Sequence, residues 1–309
     1  MLNTNFPIRK DRYGLRYVFF LGNEGGNCKY QCTFCEIGKS NAVSSKYNVN
    51  LFDNLFEDYL IKVTDKRNHL LLYNRGNITD KRAFSRKTLA HILTKFKNYH
   101  SITHLSLNSR EQEVTNDFID FIFKMNLPYP IHFILGQESF SDKTDQIIGK
   151  NSNGEFVRLN NKISQFNSES YFTRNENYKF GIDVNLLFLP ELYIGKADRK
   201  EYEKEIKKGL LKDVKKVLIN SSEIVPITIN IHPYYKVKSL PFENTDVSQL
   251  IDLLPQIQDL VTVYNKKRKY KTSVFIGFRG IKTGNKQNDL QIDKWNKIFD
   301  LFNTNSVLF

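Results

Sequence analysis

Six short apolar runs recur along the chain, each rich in β-branched and aromatic residues and each followed by a segment of helical spacing. They are LRYVFFLG (15–22), HLLLYN (69–74), THLSLNS (103–109), IHFILGQES (131–139), GIDVNLLFLP (181–190) and PITINIHPYY (226–235). Runs of this length and composition predict buried strands. The segments between them predict helices over 51–63, 85–98, 116–125, from about 142 to 149, over 157–166 and over 200–218. Strand–helix alternation predicts βαβ units in an α/β fold with a parallel sheet and right-handed crossovers. Past the sixth run come a helix over 247–263, a strand at 272–280 (TSVFIGFRG) and a helix near 290–302. The expected organisation is a short segment over 1–12, one α/β domain over 13–235, and a C-terminal extension over 236–309 packed on it.

Ligands of such folds bind at the carboxyl ends of the strands. Those ends carry Asn74–Asn77, Ser109–Glu111, Gln137–Ser139, Pro190–Glu191 and His232–Tyr235. The first strand runs into GNEGGNCKYQCTFCEIGK (22–39), which holds all three cysteines of the chain, Cys28, Cys32 and Cys35. Thiolates at C-x3-C-x2-C spacing can surround one metal centre and leave one coordination position open. Soft thiolates select zinc, copper(I) or iron–sulfur. A zinc site wants a fourth Cys or His, and none of the six histidines lies near the loop in sequence. A redox or nucleophilic cysteine needs only one or two thiols, and buried structural cysteines have no reason to cluster. A [4Fe–4S] cluster with one open iron accounts for both count and spacing.

The segment CKYQCTFC resembles the cluster motif of radical S-adenosylmethionine (radical SAM) enzymes, with the aromatic Phe34 just before the last cysteine. The resemblance implies a partial (β/α)6, TIM-like barrel over about 13–235, a [4Fe–4S] cluster on Cys28, Cys32 and Cys35, and S-adenosyl-L-methionine chelated to the open iron. It implies reductive cleavage of that cofactor to a 5′-deoxyadenosyl radical that abstracts a substrate hydrogen, with an external one-electron donor of flavodoxin or ferredoxin type. The family's Gly-Gly-Glu-like segment after the second strand, which holds the methionine amine, corresponds to Tyr73–Asn77. That stretch keeps Gly76 and has no Glu, so Asn74 or Asn77 would have to accept from the amine. Ser109 and Arg110 fall where related enzymes set polar groups near the methionine carboxylate, and Arg110 suits a bidentate contact. Glu138 and Ser139 resemble the segment that bonds the ribose hydroxyls. His232 is expected against adenine or substrate. The stretches NSRE, LGQES and NLLFLPE look most like the elongator and archaeosine-type branch, which includes tRNA-modifying members.

Scarcity of cysteine narrows the chemistry. No thiol remains for an auxiliary or sacrificial cluster, for a methyl-carrying cysteine, or for quenching a product radical, and a cobalamin domain ahead of Cys28 is not expected. What remains is hydrogen abstraction followed by rearrangement, elimination, epimerisation, C–C bond formation or dehydrogenation, on a small molecule, a peptide or a tRNA base. The net charge of +13 and a pI near 9.4 raise the expectation of a polyanionic partner. The lysines are spread, with dense stretches only at 204–216 and 266–271. The competing reading is a non-catalytic, metal-stapled RNA-binding module. A reducing, cytoplasmic setting is expected from cysteine usage, with no apolar leader and no membrane span.

Overall fold

The computed structural model describes residues 9–11, 13–25, 28, 47–50, 52–54, 56–57, 67–74, 76–150, 152, 154–168, 180–189, 199–234, 246–277 and 286–305. Among the described residues, eight strands make one sheet in chain order: β1 (Arg9–Asp11), β2 (Gly14–Leu21), β3 (Asn68–Asn74), β4 (Ile102–Ser109), β5 (Ile131–Glu138), β6 (Phe180–Phe188), β7 (Ile227–Pro233) and β8 (Ser273–Ile276). β1 runs antiparallel to β2, and β2 to β8 are parallel throughout. The six expected strands of the main domain appear within a residue or two of their sequence bounds, whereas the strand expected over 272–280 ends at Ile276. β8 continues the sheet past the sixth run.

Between the strands lie α1 (Arg86–Lys97), α2 (Asn116–Met125), α3 (Asp142–Ile148), α4 (Glu155–Ser168), α5 (Arg199–Asn220), α6 (Ser248–Ile251), α7 (Leu254–Asn265) and α8 (Lys286–Asn305). Ser85, Thr115 and Ser141 cap α1, α2 and α3, each accepting from a backbone N–H three residues on, which satisfies a donor the helix leaves orphaned. The described residues between 49 and 57 are helical, with Phe52 and Phe56 stacked at 5.9 Å; the remainder of the expected 51–63 helix lies outside the described residues. The single helix expected over 247–263 is two. Pro255 sits in the first turn of α7, where its missing N–H is harmless, and it cannot continue α6.

Side chains alternate across the sheet. Leu70, Leu72, Leu105, Leu107, Phe133 and Leu135 face the helices and join the main core with Ile92, Phe96, Phe118 and Phe156. The other face is polar and turns inward. Arg16 on β2 donates to Asn230 Oδ1 on β7 at 3.2 Å and lies 3.9 Å over the ring of Phe275 on β8. Five strand spacings in a flat sheet would hold β2 and β7 apart by roughly 24 Å. The sheet is therefore curled into an open half-barrel of TIM type, with Arg16 spanning its lumen. Helix α8 packs against both β1 and β8. Asn303 on that helix accepts from the Ile276 N–H at 2.7 Å and donates to its carbonyl at 3.3 Å.

Candidate active site

The floor of the lumen is a chain of buried charges. Asp11 Oδ2 lies 2.6 Å from His69 Nδ1, and His69 Nε2 lies 2.7 Å from the Ser106 hydroxyl. Ser106 donates to Asp183 Oδ2 at 2.6 Å, and His132 Nδ1 sits 2.8 Å from Asp183 Oδ1. Burial alone would raise both carboxyls. The neighbouring imidazoles and Arg16 outweigh it and hold Asp11 and Asp183 below the usual carboxylate range. Tyr13 stacks on His104 at 3.5 Å. Gly181 is required here, because a Cβ on it would lie 2.5 Å from His132 Nε2. One layer higher, Asn230 donates to Asn185 Oδ1 at 2.9 Å, and the Tyr73 hydroxyl is bonded to Asn185. These buried groups fill the lumen toward the amino-terminal ends of the strands.

At that upper end the cysteine segment begins. Its base is pinned twice. Glu24 and Gly25 donate backbone N–H groups to the Ala83 carbonyl, and Tyr47 N–H returns to the Asn23 carbonyl at 3.1 Å. The Glu24 carboxylate also accepts from the Ser85 N–H at 2.5 Å and from the Thr88 hydroxyl, so the segment is tied to the N-terminus of α1. Cys28 lies over Gly76: a Cβ on that glycine would sit 3.7 Å from Cys28 Cα and 3.9 Å from Asn74 Oδ1. Asn108 donates to the Gly76 carbonyl at 2.7 Å and fixes the turn. Cys32, Phe34 and Cys35 lie outside the described residues.

Asn74 is 1% exposed, and both atoms of its amide are buried without a hydrogen-bond partner among the described residues. Asn77 is buried beside it. An unpaired buried amide costs about 1–3 kcal/mol. Asn74 Oδ1 and Cys28 both border the space over Gly76. Among the described residues, a cysteine and an unpaired amide at one strand end are chemically compatible with a thiolate-held cluster and a ligand amine.

The next two strand ends behave differently. Ser109 donates to the Ile134 carbonyl at 3.1 Å. Arg110 Nη2 is 2.6 Å from Glu155 Oε1 on α4, a buried ion pair. Glu111 is paired to Arg158 and Lys162, each at 3.1 Å, and these cations hold its carboxyl below the usual range against the opposing effect of burial. On β5 the register slips between Gly136 and Glu138, and Glu138 takes a left-handed backbone, φ 60°. A bulge and a non-glycine residue at positive φ are local strain of the kind concentrated at functional sites. The Glu138 carboxylate is bonded by Lys150 at 2.9 Å. Ser139 turns away to donate to Asp213 on α5 at 2.7 Å. His232 closes β7 over Gly277, where a Cβ would lie 2.4 Å from its Nδ1, and its Nε2 is buried without a partner among the described residues. Burial and then the Arg16 charge depress its basicity, with Glu138 opposing, to a pKa of about 4.

Sequence reasoning missed Arg16, Asp183, Lys150 and Glu155. A signal for two of them exists: Arg16, His69, His104, His132 and Asp183 sit at inward positions of successive strands, polar residues alternating with apolar ones. Lys150 lies in a connector with no such period, and Glu155 at the helix start that follows it.

No protein-family model and no curated protein matches the chain. Among solved structures, similarity extends to a queuine lyase from Clostridium spiroforme bound to SAM and queuine (17% identity, 85% of this chain and 94% of that one, TM-score 0.44). A radical SAM methyltransferase from Sphaerobacter thermophilus is also similar (11% identity, 86% and 70%, TM-score 0.47). SuiB from Streptococcus suis matches with 14% identity over 82% of this chain at a TM-score of 0.50, and the match takes in 48% of SuiB, so the chain spans about half of that protein's length. By fold, then, the chain stands with SuiB, as an open α/β half-barrel of seven parallel strands.

Proposed function

We propose that the chain is a radical SAM enzyme, with Cys28, Cys32 and Cys35 holding a [4Fe–4S] cluster over the mouth of the half-barrel and S-adenosyl-L-methionine bound beside it. The observation that carries this reading is the placement of Cys28 over Gly76 together with the orphaned amide of Asn74. When bound, the cluster and its cofactor supply one-electron cleavage of a sulfonium C–S bond and a 5′-deoxyadenosyl radical for hydrogen abstraction. The protein's own part is aim and dryness. Asn74 Oδ1 accepts from the methionine amine, with the Gly76 turn giving the backbone clearance. Arg110 and Ser109 sit at the next strand end toward the carboxylate, Glu138 faces the ribose, and His232 with Tyr73 and Asn185 faces the substrate. The buried floor keeps bulk water from that end of the lumen.

The substrate is a small molecule, peptide or nucleic-acid base able to enter from the strand ends. The NSRE and LGQES likeness and the +13 charge support a tRNA base within that set. A flavodoxin or ferredoxin type donor supplies the electron. Anaerobic reconstitution tests the metal assignment. About four iron and four sulfide per chain are expected, lost together when any of Cys28, Cys32 or Cys35 is changed to Ala. One zinc per chain with no sulfide would overturn the reading in favour of a metal-stapled binding module.

A further inference from the structure

The ends of β4 and β5 receive their counter-ions from one place. Lys150, which pairs Glu138, lies in the short connector between α3 and α4, and Glu155, which pairs Arg110, is the first residue of α4 that follows it. Nothing in the motif pattern marks this connector, yet its described residues are extensively hydrogen-bonded. Gly149 ends α3 with φ 62°. Lys150 N–H returns to the Asp145 carbonyl at 2.9 Å, and Ser152 N–H donates to Asp145 Oδ2 at 2.9 Å. The Ser152 hydroxyl lies 2.7 Å from the same oxygen and 2.9 Å from the Gln137 carbonyl. Gln137 Oε1 in turn accepts from the Phe156 N–H at 3.2 Å. The connector is thereby locked to the strand end it serves.

Four separate devices converge on one ion pair. Gly136 lacks the Cβ that would otherwise lie 2.7 Å from both Glu138 Oε1 and Lys150 Nζ. The bulge and the left-handed Glu138 turn that carboxylate back over Gly136. Lys150, 7% exposed, brings its ammonium to Glu138 Oε1 and to the Gly136 carbonyl. The pair occupies Oε1 alone; Oε2 has no hydrogen-bond partner among the described residues. For stability alone, apolar residues of similar volume would serve about as well. A carboxyl oxygen left without a partner among the described residues is an acceptor, suited to a ligand that offers adjacent O–H donors.

We infer that the connector is a clamp for the nucleoside of the cofactor. Lys150 acts as a positioning residue, fixing Glu138 so that Oε2 accepts from a vicinal diol. Glu155 steadies Arg110 one strand over. The inference rests on the reading of the site as a SAM site and adds to it a residue that touches no ligand itself. The loss expected on removing Lys150 is that of a charge-assisted hydrogen bond to the ligand, while contacts to base and methionine stay in place.

The test compares S-adenosylhomocysteine with its 2′-deoxyribose analogue, by calorimetry on the cluster-loaded chain. The wild type should prefer the diol by about tenfold or more. Lys150→Met should lower affinity for S-adenosylhomocysteine by about that factor while leaving the 2′-deoxy analogue within about threefold, so that the preference collapses. Glu138→Gln should do the same, and the double variant should lose no more than either single one. Lys162→Met, which breaks a pair on Glu111 instead, should keep the preference whatever it does to stability. If Lys150→Met does not fold, Lys150→Gln carries the same expectation. A wild-type preference that survives in the Lys150 variants overturns the clamp and leaves the SAM site standing. A cluster-loaded wild type that binds neither probe overturns the SAM reading and the clamp with it.

Discussion

Asp183 sits where three strands of the floor meet, accepting from Ser106 and from the His132 ring while fully buried. Its folded pKa is depressed, so its contribution to stability is complete above about pH 4 and is lost as pH falls through the folded value in the strongly acid range. Asp183→Asn keeps the volume and removes the charge that compensates Arg16 and the imidazoles. A cost of about 3–5 kcal/mol is expected, read by urea unfolding at neutral pH, with a shallower acid limb than the wild type. Asn74 makes the opposite case. Its amide has no partner among the described residues, so Asn74→Leu should leave the ligand-free chain as stable or more stable by about 1 kcal/mol while SAM binding is lost. A variant that unfolds more easily and still binds would contradict the role given to that amide. His232 adds a third dependence. The unfolded chain takes up this proton near pH 6.5 and the folded chain only near pH 4, so stability should decline as pH falls between those values. His232→Gln should flatten the decline in that window.

At the level of elements, the strand–helix alternation was legible because period-two and 3.6-period patterns leave clear marks in apolar residues. The helix NDFIDFIFKM appears at its expected bounds, started by Thr115 and ended by the left-handed Asn126, φ 47°. The inward faces were less legible. A parallel strand buried on both sides reads as a continuous apolar run, and isolated polar residues within it, such as Asp183 or Ser106, carry no local sign of the strand they will meet across the lumen. The candidate site was legible where a motif marked it, at Cys28 and the ends of β3 and β5. It was silent where partners come from a connector or the helix start after it, as with Lys150 and Glu155. Long-range pairing also decides the C-terminal region, since β8 joins the sheet and Asn303 on α8 brackets both backbone groups of Ile276. Asn303→Ala should cost about 1–3 kcal/mol for the buried groups left unpaired, measured by denaturant unfolding. Gly181→Ala should cost about 1–3 kcal/mol by crowding the His132 ring.

For the molecule as a whole, the half-barrel divides labour between its ends. The lumen floor is a hydrogen-bonded network of buried polar groups, and the mouth gathers Cys28, an amide unpaired among the described residues, the left-handed Glu138 and His232. No helix among the described residues is long and apolar enough to cross a membrane. The two ends thus differ: a hydrogen-bonded, buried base, and a mouth whose buried Asn74 amide and His232 Nε2 have no partner among the described residues. The central claim is that the mouth generates a radical from S-adenosylmethionine, and product analysis tests it most directly. The anaerobically reconstituted chain, given dithionite and S-adenosylmethionine, should release 5′-deoxyadenosine and methionine, and the Cys28→Ala, Cys32→Ala and Cys35→Ala variants should not. A chain with a spectroscopically intact [4Fe–4S] cluster that forms no 5′-deoxyadenosine would contradict the account.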